Sequence, residues 1–135
     1  MRKLVLDTNV VVSALLKPGS NCDLIFQLIF NSEYELVICP EIAKEYEEVL
    51  SRPKFDAIAN RTKAAFLEYL RFSKTRSVAP LPTAETFNRD QSDKVFYDLA
   101  VAAGAILITG NSRHFPKSEI VLTPTQFLER HTKPQ

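Results

Sequence analysis

Apolar residues arrive in this chain in two rhythms. Short, nearly unbroken runs stand at Leu4-Val5-Leu6, at Glu35 to Cys39 (ELVIC), at Ala105 to Ile108 and at Ile120-Val121-Leu122. Runs of that length predict strands buried on both faces, as in a parallel sheet. Between them apolar positions recur at helical spacing. Val10 to Leu16 fits a buried helical segment; after a turn at Lys17-Pro18-Gly19-Ser20-Asn21, Leu24, Ile25, Leu28 and Ile29 make one wide face, capped by Ser20 or Asn21. Pro40 opens a third helix, to about Leu50, at its first position, where a missing N–H does no harm. Phe66, Leu67 and Leu70 mark a fourth, from about Asn60 to Ser73. Ser77 to Thr86, with two prolines, reads as an exposed loop with room for one short extended segment. Val95, Phe96, Leu99, Ala100 and Ala103 line a fifth helix that stops at Gly104, and Pro124 opens a last one carrying Phe127 and Leu128. Strands alternating with helices in this order predict an α/β domain with a mostly parallel sheet of four to five strands and helices on both faces.

The third helix can be resolved by angle. At about 100° per residue, Ile42, Tyr46, Val49 and Leu50 form one stripe. Of its four glutamates, Glu45 lies about 85° from the centre of that stripe, while Glu41, Glu47 and Glu48 lie roughly 115° to 145° away. Glu45 therefore borders the buried face.

The chain has 135 residues, enough for one domain, taken here as residues 1–131 with a polar tail at 132–135. With 17 basic and 16 acidic residues the net charge is +1, which argues against a strongly basic footprint for non-specific DNA binding but leaves room for a local basic patch. Cys22 and Cys39 are too few for a disulfide framework and match no zinc spacing, so both read as buried thiols in a reducing compartment. The first apolar run is cut by Asp7 and Asn9, and no stretch approaches the ~18 apolar residues of a membrane span. A cytoplasmic protein without membrane contact is expected.

The chemistry-bearing residues gather at element ends. Asp7 follows the first strand and Thr109-Gly110-Asn111 follows a later one; ligands of open α/β sheets bind at those carboxyl ends. Asp93 lies in the first turn of the helix leading to that later strand, with Asp90 as its cap. Each residue has an ordinary alternative: Asp7 as a turn former or cap, Glu45 as a solvated helix residue, Asp90 and Asp93 as capping carboxylates, Asn111 as a turn residue. Three carboxylates and an amide brought together would repel one another unless a cation neutralised them. An all-oxygen set selects Mg²⁺ or Mn²⁺, and the chemistry such an ion supports is phosphodiester hydrolysis.

With Leu-Asp-Thr-Asn-Val at 6–10, Glu-Tyr-Glu-Glu-Val-Leu at 45–50, Arg-Pro-Lys-Phe at 52–55, Arg-Asp-Gln-Ser-Asp-Lys at 89–94 and Leu-Ile-Thr-Gly-Asn at 107–111, the chain resembles PIN-domain nucleases, in particular the prokaryotic toxins of toxin–antitoxin systems. The resemblance covers nearly the whole chain and implies an Mg²⁺- or Mn²⁺-dependent endoribonuclease. It assigns catalytic positions to Asp7, Glu45, Asp93 and Asn111, the first three as metal ligands. Thr8 and Thr109 match family positions that support the site, Asp90 matches an additional acid of the subgroup, and Asn9 lies beside them. Asn111 departs from the family's frequent aspartate, and with only three carboxylates the metal count is open. The resemblance also implies an RNA substrate, an antitoxin partner or a homodimer. Lys17, Arg52, Lys54, Arg89, Lys94 and Arg113 are the basic candidates for RNA contact; His114 and His131 match no ligand spacing and receive no role.

Two other readings compete. A haloacid-dehalogenase-type phosphatase also places an aspartate after its first strand, but needs a second acid two residues on, where Asn9 stands. The neutral Asn111 and the near-zero net charge keep open the alternative of a PIN-like module that binds RNA or protein with little or no cleavage.

Overall fold

The computed structural model describes residues 2–72, 76–77, 79 and 91–131. Five strands, β1 (Arg2–Leu6), β2 (Tyr34–Ile38), β3 (Arg76–Ser77), β4 (Ile106–Ile108) and β5 (Val121–Leu122), are joined by six α-helices: α1 (Thr8–Leu16), α2 (Asn21–Phe30), α3 (Pro40–Leu50), α4 (Asn60–Phe72), α5 (Gln91–Ala103) and α6 (Pro124–His131). The sheet order is β3-β2-β1-β4-β5, and every adjacent pair is parallel. The chain first winds outward from β1 to β3, then crosses back to add β4 and β5 on the other side. The direction of winding reverses between β1 and β4, and such a reversal opens a crevice at the strands' carboxyl ends.

Successive strand residues point to opposite faces. Leu4, Val5 and Leu6 are all fully buried, so both faces of β1 are covered. Helix α5 packs across β1, β2 and β4, α2 packs on β2, and α6 packs on β5. A run of rings joins the layers: Phe26 stacks on Phe66 with centroids 5.4 Å apart, Tyr46 contacts Phe66 at 5.9 Å, and Tyr46 meets Phe96 at 6.5 Å.

Several boundaries differ from expectation, each for a local reason. Helix α1 starts at Thr8 rather than Val10, so Asp7 stands at its N-cap and Thr8 and Asn9 lie in its first turn. Strand β2 starts one residue early, because the Tyr34 ring packs edge-on against Phe127, 5.2 Å away, and its hydroxyl donates to the carbonyl of His131. Cys39 leaves the strand to become the N-cap of α3. Both thiols are free, but only Cys39 is buried; Cys22 is half-buried. Ser20, not Asn21, caps α2, accepting the N–H of Asp23. Strand β3 ends at Ser77, where the expected loop begins; most of the Ser77–Thr86 stretch, for which one short extended segment was expected, and the tail 132–135 lie outside the described residues. No helix among the described residues is long and apolar enough to cross a membrane.

Candidate active site at the sheet's switch point

β1 and β4 end side by side at the point where the winding reverses. The N–H of Asp7 donates to the carbonyl of Ile108, 2.9 Å away, which extends the pairing one residue past β1. Across the same gap the Thr109 hydroxyl donates to Asp7 Oδ2 at 2.7 Å. Thr109 is fully buried; its own N–H goes to the carbonyl of Leu122, and its hydroxyl oxygen accepts the N–H of Asn111 at 3.0 Å. One threonine thus fixes the end of β4, the carboxylate of Asp7 and the turn that carries Asn111.

Asp7 occupies the N-cap of α1, yet its side chain makes no capping bond. A carboxylate that served as a cap would accept the N–H of the second or third helical residue; this one accepts the Thr109 hydroxyl and the N–H of Thr8, the first. It is only 6% exposed. Burial raises its pKa above the ordinary value, against the opposing pull of the Thr109 hydroxyl, the Thr8 N–H and the charge of His114.

Helix α3 brings the second acid. Ile42, Tyr46 and Leu50 are buried, whereas Glu41, Glu47 and Glu48 are exposed and Glu45 is half-buried. The Tyr46 hydroxyl donates to the carbonyl of Leu6 at 2.5 Å, pinning α3 to the last residue of β1. Glu45, one residue earlier, accepts a short hydrogen bond from the hydroxyl of Thr8, the neighbour of Asp7. Burial first, then the nearby charges of Asp7 and Glu45, holds the Tyr46 phenol well above its ordinary range, so it remains a donor. The bond from Thr8 to Glu45 is what brings the second carboxylate next to the residue that follows Asp7.

The third acid, Asp93, is half-buried in the first turn of α5, and its Oδ2 lies 3.8 Å from His114 Nδ1. His114 stands at the end of a 3-10 turn, Ser112–His114, whose N-cap is Asn111. This corrects the expectation of a site without histidine: His114 faces Asp93 and its charge also reaches Asp7. Its position three residues past Asn111 was the available signal, but ligand-spacing patterns do not register a side chain returned to the site by a tight turn. Tyr46, read from the sequence only as core, likewise proves to anchor the helix that bears Glu45.

Of the remaining candidates, Asn9 and Asn111 are exposed. Asp90 and Arg89 lie outside the described residues. Lys94 is paired with the buried Asp98, one turn on, at 2.8 Å. Lys54 lies over the ring of Phe55, 5.1 Å from its centroid; Lys17, Arg52 and Arg113 are exposed.

Among the described residues no three His, Cys, Asp or Glu side chains are set at ligand geometry around one point. Glu45 is engaged with Thr8, and Asp93 lies beside His114. The chemistry of the donors nevertheless fits a hard divalent cation: Asp7, Glu45 and Asp93 offer carboxylate oxygens, and Asp7 is a buried acid whose charge is costly without a counter-ion.

The family profile of the PIN domain matches residues 3–113. The chain belongs to the PIN-domain family. The matched segment runs from β1 through the turn that bears Asn111 and Arg113, and it removes the haloacid-dehalogenase alternative. This PIN domain is 28% identical over 143 aligned positions to the uncharacterized protein MJ1680 of Methanocaldococcus jannaschii, covering 97% of this chain and 92% of the relative. Its fold is similar to a crystal structure of VapBC2 from Rickettsia felis bound to a DNA fragment from their promoter, with a TM-score of 0.58, 16% identity, and coverage of 90% of this chain and 96% of that one.

Proposed function

We propose that this PIN domain is an endoribonuclease that hydrolyses RNA phosphodiester bonds with Mg²⁺ or Mn²⁺, working in the cytoplasm as the toxin of a toxin–antitoxin pair. The observation that carries the reading is the buried carboxylate of Asp7 at the β1/β4 switch point, held by Thr109 rather than used as a helix cap. Asp7, Glu45 and Asp93 would hold the ion, with Asn111 contributing a neutral oxygen. Bound there, a divalent ion polarises a phosphate and lowers the pKa of a water. The residues of the chain do the rest. Thr109 aims the Asp7 carboxylate, Thr8 aims that of Glu45, and Tyr46 keeps α3 seated so that Glu45 stays in reach. Hydroxyls that orient ligands in this way are part of a metal site's affinity.

The toxin assignment is supported by the motif resemblance to prokaryotic PIN toxins and by the fold likeness to VapBC2. An antitoxin protein, or a second copy of the chain, is the partner expected of that subgroup. The test is cleavage of a fluorescent single-stranded RNA, beside a DNA of the same sequence, in Mn²⁺ and in EDTA. RNA cut only with metal supports the reading. DNA cut equally well overturns the RNA assignment, and no cleavage of either overturns the nuclease.

A further inference from the structure

The turn that carries Asn111 and His114 has a second side. Ser112 and Arg113 line a groove of about 520 Å³ that runs past Lys117 and Ser118 to Gln126 and Arg130 on α6. That volume is within the range of ordinary ligand clefts, about 300–1,000 Å³. Among the described residues that line it, three are exposed cations and none is an acid. Among the described residues none of Arg113, Lys117 and Arg130 forms an ion pair. Such a concentration stands out in a chain whose net charge is +1. Gln126 closes the N-terminus of α6 with Thr123: its Oε1 accepts the Thr123 N–H at 3.0 Å, and the Thr123 hydroxyl accepts the Gln126 N–H at 3.2 Å. This reciprocal cap holds the groove's wall rigid and leaves the Gln126 NH₂ as a further donor. Phe115 contributes to the lining but is buried, so the described lining residues offer no exposed ring on which a base could stack.

Donors and cations without acids or stacking surfaces are the chemistry of phosphate contact without base readout. The shared wall matters: His114, next to the lining pair Ser112 and Arg113, lies beside Asp93, and on the other side the Asn111 N–H is held by Thr109, which also holds Asp7. We infer that this groove is a phosphate track, in which Arg113, Lys117 and Arg130 hold the RNA backbone flanking the bond to be cut. The inference rests on the ribonuclease reading of the acid site and adds to it a sequence-independent docking surface. Of the three cations, only Arg113 is apparent from motif position; Lys117 and Arg130 are gathered by the packing of α6 on β5.

The test is binding of a labelled single-stranded RNA 20-mer in EDTA, followed by anisotropy at several salt concentrations. The variant Arg113→Gln/Lys117→Gln/Arg130→Gln is expected to lose at least tenfold in affinity. Its slope of log K against log salt should be shallower by about 2, about 0.7 for each single-strand phosphate that is no longer neutralised. A control with the same charge change elsewhere, Lys44→Gln/Arg61→Gln/Arg71→Gln, should match the wild type in both. Equal loss in the control would mean net charge alone and would overturn the track, as would an unchanged slope in the groove variant. Polyglutamate binding that disappears in the groove variant while RNA affinity persists would reassign the groove to an acidic peptide and overturn it too. Cleavage is read separately. A wild type that binds RNA through these residues but never cuts it fails the nuclease reading and leaves the track standing. A wild type that cuts RNA while the groove variant binds it unchanged does the reverse.

Discussion

At the scale of single residues the site depends on how Asp7 is held. Its pKa is raised by burial, so the folded chain binds that proton more tightly than the unfolded chain does. Stability contributed in this way is present at low pH and is lost as pH rises through the folded pKa. At neutral pH the metal-free protein therefore carries the cost of a buried charge. Asp7→Asn should raise the melting temperature of the metal-free protein at pH 7 by about 2–4 °C, on the order of 1 kcal/mol for a domain of this size. Mn²⁺ should stabilise the wild type and leave the variant unmoved. A destabilised Asp7→Asn protein, in scanning calorimetry with and without metal, would mean that the charge is already compensated within the chain. Thr109→Val removes the hydroxyl that aims Asp7 and keeps the side chain's size. It should weaken Mn²⁺ affinity by about 10–100-fold, read by titration calorimetry; unaltered affinity would show that Asp7 is not a ligand.

At the scale of elements, the sequence predicted α3 from Pro40 to Leu50 and put Glu45 on the edge of its buried face, and the structure agrees in both. Periodicity reports which side of a helix meets the core, and that was enough. It does not report which atom of the core a polar group meets. The Tyr46 hydroxyl and the Leu6 carbonyl are 40 residues apart in the chain, and nothing in either neighbourhood announces the bond. Likewise the early start of β2 follows from Phe127, which is distant in sequence. Asp7 and Thr109 were both legible as strand-end residues, but their pairing required knowing that β4 lies next to β1. Tyr46→Phe should cost about 1 kcal/mol in urea unfolding, the worth of one buried hydrogen bond. It should also slow cleavage, since α3 carries Glu45; a stability loss with an unchanged rate would separate Tyr46 from the site. Gly104 ends α5 at φ +66°, with open space where a Cβ would stand. The penalty of Gly104→Ala is then conformational alone, about 1 kcal/mol of stability in the same assay.

At the scale of the whole molecule, strand order 3-2-1-4-5 sets the crevice at β1 and β4, while the last residue of α6 reaches the start of β1, at the opposite end of that strand. There the Arg2 guanidinium donates to His131 Nδ1 at 2.6 Å, and the His131 ring stacks on Phe127, 5.0 Å away. Burial, followed by the charges of Arg2 and Arg130, lowers the pKa of His131 below its ordinary 6.5. The folded state thus prefers the neutral ring. This stabilisation is complete above pH 6.5 and is lost as pH falls through the lowered folded pKa. The melting temperature of the wild type should exceed that of His131→Gln at pH 7.5, and the gap should shrink by pH 5. A gap independent of pH would show that the Arg2 contact does not depend on the neutral ring.

The central claim, that Asp7 at the switch point serves a metal-dependent RNA cleavage, is tested most directly by the cleavage rate of one labelled RNA against Mn²⁺ concentration, for the wild type and Asp7→Asn in parallel. The account predicts a rate that rises with metal and saturates in the wild type, and falls by at least about 10²-fold in the variant, as for loss of one charge-stabilising group. Cleavage that persists in EDTA, or an Asp7→Asn rate equal to that of the wild type, would contradict it.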